Sequence, residues 1–392
     1  MVEKRLLDKI LQHIKHGALH VTYWDGSEVV YGEGKPLVHV TVKTPKAVRA
    51  ILSSLSLGFG ESYMNGLIDI EGPLDQINRL AVENKPTFRL AEGLRWARAH
   101  NVNVRSRQQR FIAHHYDIGN DFYKMWLDKS LTYSCAYFRK KTDTLEAAQA
   151  NKVGHLLRKL QLKKGMSLLD IGSGWGTLLI TAAKEYGITG LGITLSREQL
   201  KYCKAAAKKA GVDKLVDFKL LNYQDLAEQK PEFDRIISVG MFEHVGKGNH
   251  DDYFRAVAAM LKSGGISVLH SITHTHVTPT DPWIDKYIFP GGYIPAVHTV
   301  VDKLPKYDFR LLDYENLRLH YAMTLDEWLR RFESHKDKVL KMYDERFYRM
   351  WRLYLASSSA AFRYGDICLS QFVFSKGLNN DLPLTREHIY AK

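Results

Sequence analysis

The segment LLDIGSGWG, residues 168–176, decides the fold of this chain. Its apolar start predicts a buried strand that ends at Ile171, and three glycines at alternate positions follow before a helical stretch begins at Thr177. Glycine lets the backbone turn tightly and approach a ligand that a Cβ would obstruct. Glycines at the carboxyl end of a first strand therefore indicate a nucleotide-like cofactor.

Strands and helices alternate outward from this segment. Helices are predicted to begin near Thr177, Ser196 and Tyr253. The further strands are predicted in TGLGIT (189–194), LVDFKLL (215–221), FDRIISVG (233–240), GISVLHSI (265–272), FRLLDYENL (309–317) and ICLSQFVFS (367–375). This alternation predicts an α/β fold with a mostly parallel sheet covered on both faces.

The spacing of the glycines narrows the choice of cofactor. The third glycine comes one residue earlier than in the dinucleotide fingerprint, and the second strand ends in Thr194 and Ser196 instead of a ribose-binding acid. A nicotinamide cofactor is therefore disfavoured. Asp-x-Gly-x-Gly-x-Gly resembles the first motif of class I S-adenosylmethionine (SAM) methyltransferases, whose glycine loop holds the amino-acid part of SAM.

Composition limits the class of protein. The 392 residues are 45% hydrophobic and 25% charged, which excludes wholesale disorder. Cys135, Cys203 and Cys368 are too few and too scattered for a disulfide framework, so a reducing compartment is expected. The N-terminal MVEKRLLDKILQHIKHG predicts an amphipathic helix and no signal peptide, and no apolar run reaches the length of a membrane span.

Net charge indicates the partner. The formal charge of +13 favours a polyanion, either nucleic acid or an anionic membrane surface. The densest basic stretch, residues 85–110, is predicted to be a linker that faces phosphate head groups or, alternatively, a solvated helix face. No zinc-ligand spacing or RNA-binding aromatic motif accompanies it, so no metal and no nucleic acid are expected.

Long motifs in one order carry a specific resemblance. They are GESYMNGLIDIEG (60–72), YDIGNDFYKMWLDKSLTYSCAYF (116–138), LDIGSGWGTL (169–178), GITLSREQ (192–199), VGMFEHVG (239–246), IDKYIFPGGYIP (284–295), DYENLRLHYAMTL (313–325) and YLASSSAAFRYGDICLSQFVFSKG (354–377). Over most of its length the chain resembles the cyclopropane-fatty-acyl-phospholipid synthases, which are similar to the mycolic-acid cyclopropane and methyl-branching enzymes.

This resemblance implies a class I SAM-dependent methyltransferase fold, Rossmann-like, with a mostly parallel seven-stranded sheet. The implied organisation is an N-terminal α+β lipid-engaging domain (1–85), the basic linker (86–110) and a catalytic domain (111–392) with a lid inserted at about 276–308. The implied activity transfers a methylene from SAM to the cis double bond of unsaturated acyl chains in membrane phospholipids. A carbocation then loses a proton to bound bicarbonate within a dry, aromatic tunnel, for which the sequence offers Phe122, Tyr123, Tyr137 and Phe138.

The site residues are carried over from the same resemblance. Cys135, Glu243, His270 and Tyr321 correspond to the bicarbonate pocket, with Glu243 orienting the ion and Cys135 contributing backbone geometry more than thiol reactivity. Ser358 stands where several relatives have a cysteine described as an active-site residue; we expect it only to line the pocket, because the reaction needs a base and no covalent nucleophile. The SAM site is expected to comprise Tyr133, Ser134, Gly172, Gly174, Gly176, Thr194, Leu195, Gln199, Tyr223 and Gln224.

Three other functions remain open from the sequence. One is a SAM-dependent methyltransferase that makes methyl-branched acyl chains, and another is a non-catalytic lipid-binding module on the same fold. Nucleic-acid methylation fits the charge but lacks an Asn-Pro-Pro-Tyr type motif or a catalytic Pro-Cys pair. The expected location is cytoplasmic, peripherally associated with the inner face of the membrane, and a homodimer is compatible with the sequence.

Overall fold

The computed structural model describes residues 2–85 and 119–390. The chain divides into two compact units, the first comprising Met1–His100, Pro279–Pro290 and Leu325–Asp366, and the second Asn101–Thr278, Gly291–Thr324 and Ile367–Lys392. The predicted basic linker, residues 86–110, lies outside the described residues. The predicted domain and lid boundaries stay predictions, although the segment 276–308 is divided between the two units.

Residues 2–85 form the N-terminal α+β part of the first unit. Its helices are α1 (Val2–Leu11), α2 (Pro45–Ser53), α3 (Leu55–Met64) and α4 (Leu74–Glu83), and its strands are β1 (Gly17–Tyr23), β2 (Glu28–Glu33), β3 (Leu37–Val42) and β4 (Ile68–Glu71). The strand order is β2-β1-β3-β4, with β1 and β3 parallel and the outer pairs antiparallel.

Residues 119–278 supply most of the second unit. Its helices here are α5 (Asn120–Tyr123), α6 (Leu145–Lys159), α7 (Thr177–Tyr186), α8 (Arg197–Ala210), α9 (Tyr223–Glu228) and α10 (His250–Met260). Its strands are β5 (Ser167–Ile171), β6 (Thr189–Thr194), β7 (Val216–Leu220), β8 (Phe233–Val239) and β9 (Leu261–His274). Side-chain oxygens of Thr144, Ser196 and Asn222 cap the amino ends of α6, α8 and α9.

The remaining described residues alternate between the two units. They form α11 (Pro282–Tyr287), α12 (Val297–Val301), β10 (Phe309–Asn316), α13 (Arg318–Ser334), α14 (Lys336–Met342), α15 (Glu345–Tyr364), β11 (Ile367–Lys376) and α16 (Glu387–Tyr390). In the part of the chain that is described, no helix has both the length and the hydrophobicity needed to cross a membrane.

Strands β5 to β11 form one seven-stranded sheet in the order β10-β11-β9-β8-β5-β6-β7. Only β11 runs antiparallel to its neighbours, β9 and β10, while the other pairs are parallel. Every predicted strand from the glycine segment onward is present, and the α/β class I fold with an N-terminal α+β part is confirmed. From β5 the strand order extends through β6 to β7 on one side, and β8 and β9 follow on the other side. A crevice therefore opens beyond the carboxyl ends of the strands where the order reverses, between β5 and β8.

Candidate functional site

The glycine loop lies directly beyond β5 and adopts the conformations that only glycine accepts easily. Gly172, Gly174 and Gly176 have φ values of +86°, +55° and +85°. A Cβ at Gly174 would meet nothing within 4 Å, whereas one at Gly176 would lie 3.0 Å from Cζ of Phe218 and 3.1 Å from Sγ of Cys203. Gly174 therefore keeps a space open, and Gly176 permits close packing.

A cavity opens over this loop, within the second unit. Eight of the residues predicted to bind SAM line it, and these are Tyr133, Ser134, Gly172, Gly174, Thr194, Leu195, Gln199 and Tyr223. Gly176 and Gln224 are not among the described residues that line it. Thr194 donates a hydrogen bond to Oε1 of Gln199 over 2.7 Å, which joins the end of β6 to the first turn of α8.

Four buried polar residues on α6 were not singled out from the sequence. Gln149 donates to the carbonyl oxygens of Thr132 (3.2 Å) and Ser134 (2.8 Å), and thereby fixes the loop that carries Tyr133. Its neighbours along the same face are Lys152, His155 and Lys159, all buried. Polar residues spaced three or four apart on a helix normally indicate a solvated face. This spacing was the only feature of the sequence that could have drawn attention to these four residues.

Asp170 and Lys152 are the buried charged groups that line the cavity. Burial raises the pKa of Asp170 to about 7, against the opposing charge of Lys152. Burial also lowers the pKa of Lys152 to about 8, opposed by the charges of Asp128 and Asp170. Both groups titrate close to neutrality, so the charge at this end of the cavity is sensitive to a bound ligand.

Glu243 lies in the turn after β8, and its carboxylate has one free oxygen. Oε1 accepts a hydrogen bond of 2.6 Å from the backbone N–H of Ile272 in β9. Oε2 is sealed from solvent and has no hydrogen-bond partner among the described residues. Burial raises the pKa of Glu243 to about 7, although the hydrogen bond from Ile272 acts against the increase.

His270 lies in β9, two residues before Ile272, and is fully buried. Its Nδ1 is 3.1 Å from Nε2 of Gln371, and its Nε2 has no partner in the described part of the chain. Burial, reinforced by nearby positive charge, lowers the pKa of His270 well below its usual value, so the ring is neutral. An unpartnered carboxylate oxygen in the turn after β8 and an unpartnered ring nitrogen in the neighbouring strand β9 suit a small polar ligand that both accepts and donates.

The other predicted catalytic residues occupy different surroundings. Burial raises the pKa of the Cys135 thiol, which donates to the carbonyl oxygen of Ala136 at 3.2 Å. Tyr321 is half-buried in the first turn of α13, in the second unit. Ser358 is half-buried on α15 and belongs to the first unit.

The predicted tunnel aromatics fall into two groups. Phe122 and Tyr123 are fully buried and pack against one another and against Trp126, with ring centroids 5.5–5.9 Å apart. Tyr137 instead stacks between His155 (4.3 Å) and His320 (4.9 Å). Phe138 follows it and is anchored by its backbone N–H, which donates to Nδ1 of His320 at 3.0 Å.

Two family profiles match the chain. The profile described as mycolic acid cyclopropane synthetase matches residues 103–372, and a domain of unknown function (DUF7884) matches residues 6–92.

Curated relatives extend over nearly the whole chain. The cyclopropane-fatty-acyl-phospholipid synthase of Escherichia coli K12 is 40% identical over 359 residues, covering 90% of this chain and 92% of the relative. A probable fatty acid methyltransferase of Pseudomonas putida is 36% identical over 384 residues, covering 96% of this chain and 97% of the relative. The crystal structure of the mycolic acid cyclopropane synthase CmaA1 with SAH and CTAB is similar with a TM-score of 0.64 and 32% identity, covering 68% of this chain and 98% of that chain.

Proposed function

The chain belongs to the mycolic acid cyclopropane synthetase family of SAM-dependent methyltransferases, and from this premise we propose that it is a cyclopropane-fatty-acyl-phospholipid synthase. The proposed reaction adds a methylene from SAM across the cis double bond of an unsaturated acyl chain in a membrane phospholipid. The observation that carries the proposal is the pair of unpartnered buried atoms, Oε2 of Glu243 and Nε2 of His270, beside the glycine-loop cavity.

The proposed reaction needs no nucleophile from the protein. The π electrons of the alkene form a bond to the sulfonium methyl carbon as its bond to sulfur breaks, which releases S-adenosylhomocysteine. The resulting carbocation loses a proton from the transferred methyl, and the electrons of that C–H bond close the ring. We propose that buried aromatic rings, such as those of Phe122 and Tyr123, shield such a cation from water.

SAM would be held by residues that line the cavity. Gly172 and Gly174 leave room for the amino-acid end, and Ser134 lies beside the buried cation of Lys152. Thr194, Leu195 and Gln199 are proposed to lie near the ribose, with Tyr223 at the adenine. Gly176 and Gln224 are proposed to support this site from just outside the cavity lining.

Bicarbonate fits the residues proposed to hold it. Bound there, it supplies the base that the reaction needs. Glu243 can accept its proton through Oε2, and His270 can donate to one of its oxygens through Nε2. Tyr321 and the backbone at Cys135 are proposed to complete the pocket, because a buried and protonated thiol is a poor base.

A direct assay tests the proposal. Purified protein is incubated with SAM, bicarbonate and vesicles of unsaturated anionic phospholipid, and the acyl chains are analysed by mass spectrometry. We expect a gain of one CH₂ as a ring, and its loss in Glu243→Gln. The matched control is Glu185→Gln, an exposed carboxylate on α7, which should retain full activity. Unmodified chains in the wild-type reaction would contradict the proposal.

Methyl branching is the second candidate, supported by the similarity to the probable fatty acid methyltransferase over 384 residues. It shares the methyl-transfer step but ends in an exomethylene or, after hydride addition from a reductant, a saturated branch. A saturated branch carries two more hydrogens than the ring, and ozonolysis distinguishes the olefin from the ring. Either branched product would replace the cyclopropane proposal.

We also propose that the protein is cytoplasmic and binds the inner face of the membrane peripherally, as a homodimer. The charge of +13 supports an anionic lipid surface. Sedimentation with anionic vesicles should decline as salt rises from 50 to 500 mM, because mobile ions screen the attraction, whereas neutral vesicles should retain little protein. Light scattering in solution tests the dimer.

A further inference from the structure

A row of three polar residues crosses the sheet beside the proposed bicarbonate pocket. Glu315 in β10 is paired with Gln371 in β11, and Gln371 is paired with His270 in β9. Residues directly opposite one another on neighbouring strands project to the same face of a sheet. Gln371 and His270 are fully buried, so their polar atoms need partners from the protein or from a bound ligand.

Helix α6 covers this row with two residues one turn apart. Nζ of Lys159 donates to Oε2 of Glu315 at 2.5 Å and to Oε1 of Gln371 at 2.8 Å. Nε2 of His155 lies 2.6 Å from the same oxygen of Glu315. Burial alone would raise the pKa of Glu315, but the hydrogen bond from His155 and the charge of Lys159 lower it to about 2, so the carboxylate is ionised.

The direction of each hydrogen bond follows from these charges. A lysine ammonium has only donors, so the amide of Gln371 must present its oxygen to Lys159 and its NH₂ to His270. Nδ1 of His270 therefore accepts. Because the buried ring is neutral, its single proton lies on Nε2, the atom that has no partner in the described residues.

We propose that Lys159 and Gln371, held in place by Glu315, are positioning residues that fix His270 as the Nε2–H tautomer. In this state the ring is a hydrogen-bond donor toward the anion that Glu243 also contacts. The functional part of this inference rests on the proposed bicarbonate pocket, whereas the tautomer itself does not. Without the lysine the amide could rotate, and the ring would lose its single orientation.

The variant Gln371→Glu provides a nearly isosteric test. A carboxylate at this position would still accept from Lys159, but it would also accept from the ring and so move the proton to Nδ1. Nitrogen-15 NMR of the full-length protein labelled at histidine distinguishes the two tautomers, and the His270→Asn spectrum assigns the signals. We expect Nε2–H in the wild type and Nδ1–H in Gln371→Glu.

The same variants should also change the rate of methylene transfer. Gln371→Glu should lower kcat roughly ten- to hundredfold on unsaturated vesicles, as loss of a group that orients an active-site histidine does, while the Kd for SAM stays unchanged. Gln371→Leu, which removes the donor without adding charge, should give mixed tautomers and a smaller loss. Ser370→Ala is the matched control, because Ser370 is a buried neighbour in β11 that bonds to Thr273 instead.

The possible outcomes separate the inference from the proposed function. An Nδ1–H signal in the wild type would overturn the inference, whether or not the variants fold. A tautomer that switches while turnover is unchanged would overturn the positioning role. An Nε2–H wild type that switches as expected supports the assignment even if no phospholipid is modified, and in that case the proposed substrate or bicarbonate pocket is what fails.

Discussion

Lys152 donates a hydrogen bond from Nζ to Oγ of Ser134 over 2.9 Å, although the lysine is only 2% exposed. The contact joins α6 to a loop residue that lines the glycine-loop cavity. In the proposed SAM site, this buried ammonium would supply positive charge to the carboxylate of the amino-acid end of the ligand.

The variant Lys152→Met should therefore bind SAM about tenfold more weakly, equivalent to about 1.4 kcal/mol. Loss of the cation also removes an influence that lowers the pKa of Asp170, so this carboxyl should be largely protonated at neutral pH. Isothermal titration calorimetry measures the affinity. Lys163→Met, at an exposed position just after α6, is the control, and equal affinities in the two variants would contradict the prediction.

The contribution of Glu243 and Asp170 to stability should fall as the pH rises between about 4.5 and 7. Burial raises the pKa of both carboxyls to about 7, so in this range each binds more protons in the folded chain than in the unfolded chain. Buried histidines such as His270, whose pKa is lowered, contribute in the opposite direction, so the test is the difference from wild type: Glu243→Gln and Asp170→Asn should each remove a fall of roughly 3 kcal/mol over this range. Urea unfolding at a series of pH values tests this; parallel curves for wild type and variants would be the contrary result.

Two neighbouring glycines of the loop should respond differently to alanine. At Gly174 the new Cβ meets nothing within 4 Å, so Gly174→Ala should cost only the strain of positive φ, about 1 kcal/mol, while it weakens SAM binding by narrowing the cavity. Gly176→Ala adds close contacts with Phe218 and Cys203 and should cost roughly 2–4 kcal/mol. Denaturant unfolding measures the loss of stability in each variant, and titration with SAM measures its affinity. Equal losses of stability in the two variants would refute the distinction.

The strands of the seven-stranded sheet could be predicted from the sequence because the features that mark them are local. The strands that were predicted contain short runs with apolar residues between turn residues, and the glycine loop lies where one such run, β5, ends. The position of Thr194 at the cavity agrees with the rule that the carboxyl ends of parallel strands meet at one edge of the sheet, whereas Gln199 was predicted there from the family resemblance.

The polar face of α6 was not predictable in the same way. Lys159 is separated by 156 residues from Glu315 and by 212 from Gln371, so its burial depends on partners that only the folded sheet brings together. A lysine without such partners would be solvated. The packing at Gly176 likewise depends on Phe218 and Cys203, which no spacing rule connects to the loop.

Gly60, in the family motif GESYMNG, is predicted to be indispensable for packing within the first unit. An added Cβ would lie 2.3 Å from Cδ1 of Trp283, whose Nε1 is 3.2 Å from Sδ of Met64. Gly60→Ala should therefore displace the indole, destabilise the protein by about 1–3 kcal/mol and increase hydrogen exchange in Pro279–Pro290. Gly248→Ala is the control because its Cβ meets nothing within 4 Å; unchanged exchange in both variants would contradict the prediction.

Ser358 and Ser359 are adjacent on α15, but only substitution of Ser359 should reduce stability. Ser359 is buried and donates a hydrogen bond to Asp326, which also contacts Arg363, so Ser359→Ala should cost about 1–2 kcal/mol of stability. Ser358 is only half-buried, and a cysteine differs from it by one atom. Ser358→Cys should therefore leave stability and methyl transfer within about threefold of wild type.

This last pair also tests whether the serine at position 358 alters the chemistry. If Ser358→Cys increases methylene transfer more than tenfold, a thiol contributes to the reaction and the wild-type chain is a weakened enzyme. Equal rates, with Ser359→Ala less stable but equally active per folded molecule, would mean that position 358 provides space and polarity only. We expect equal rates, because the proposed reaction needs a base for one proton and no atom of the protein forms a bond to the substrate.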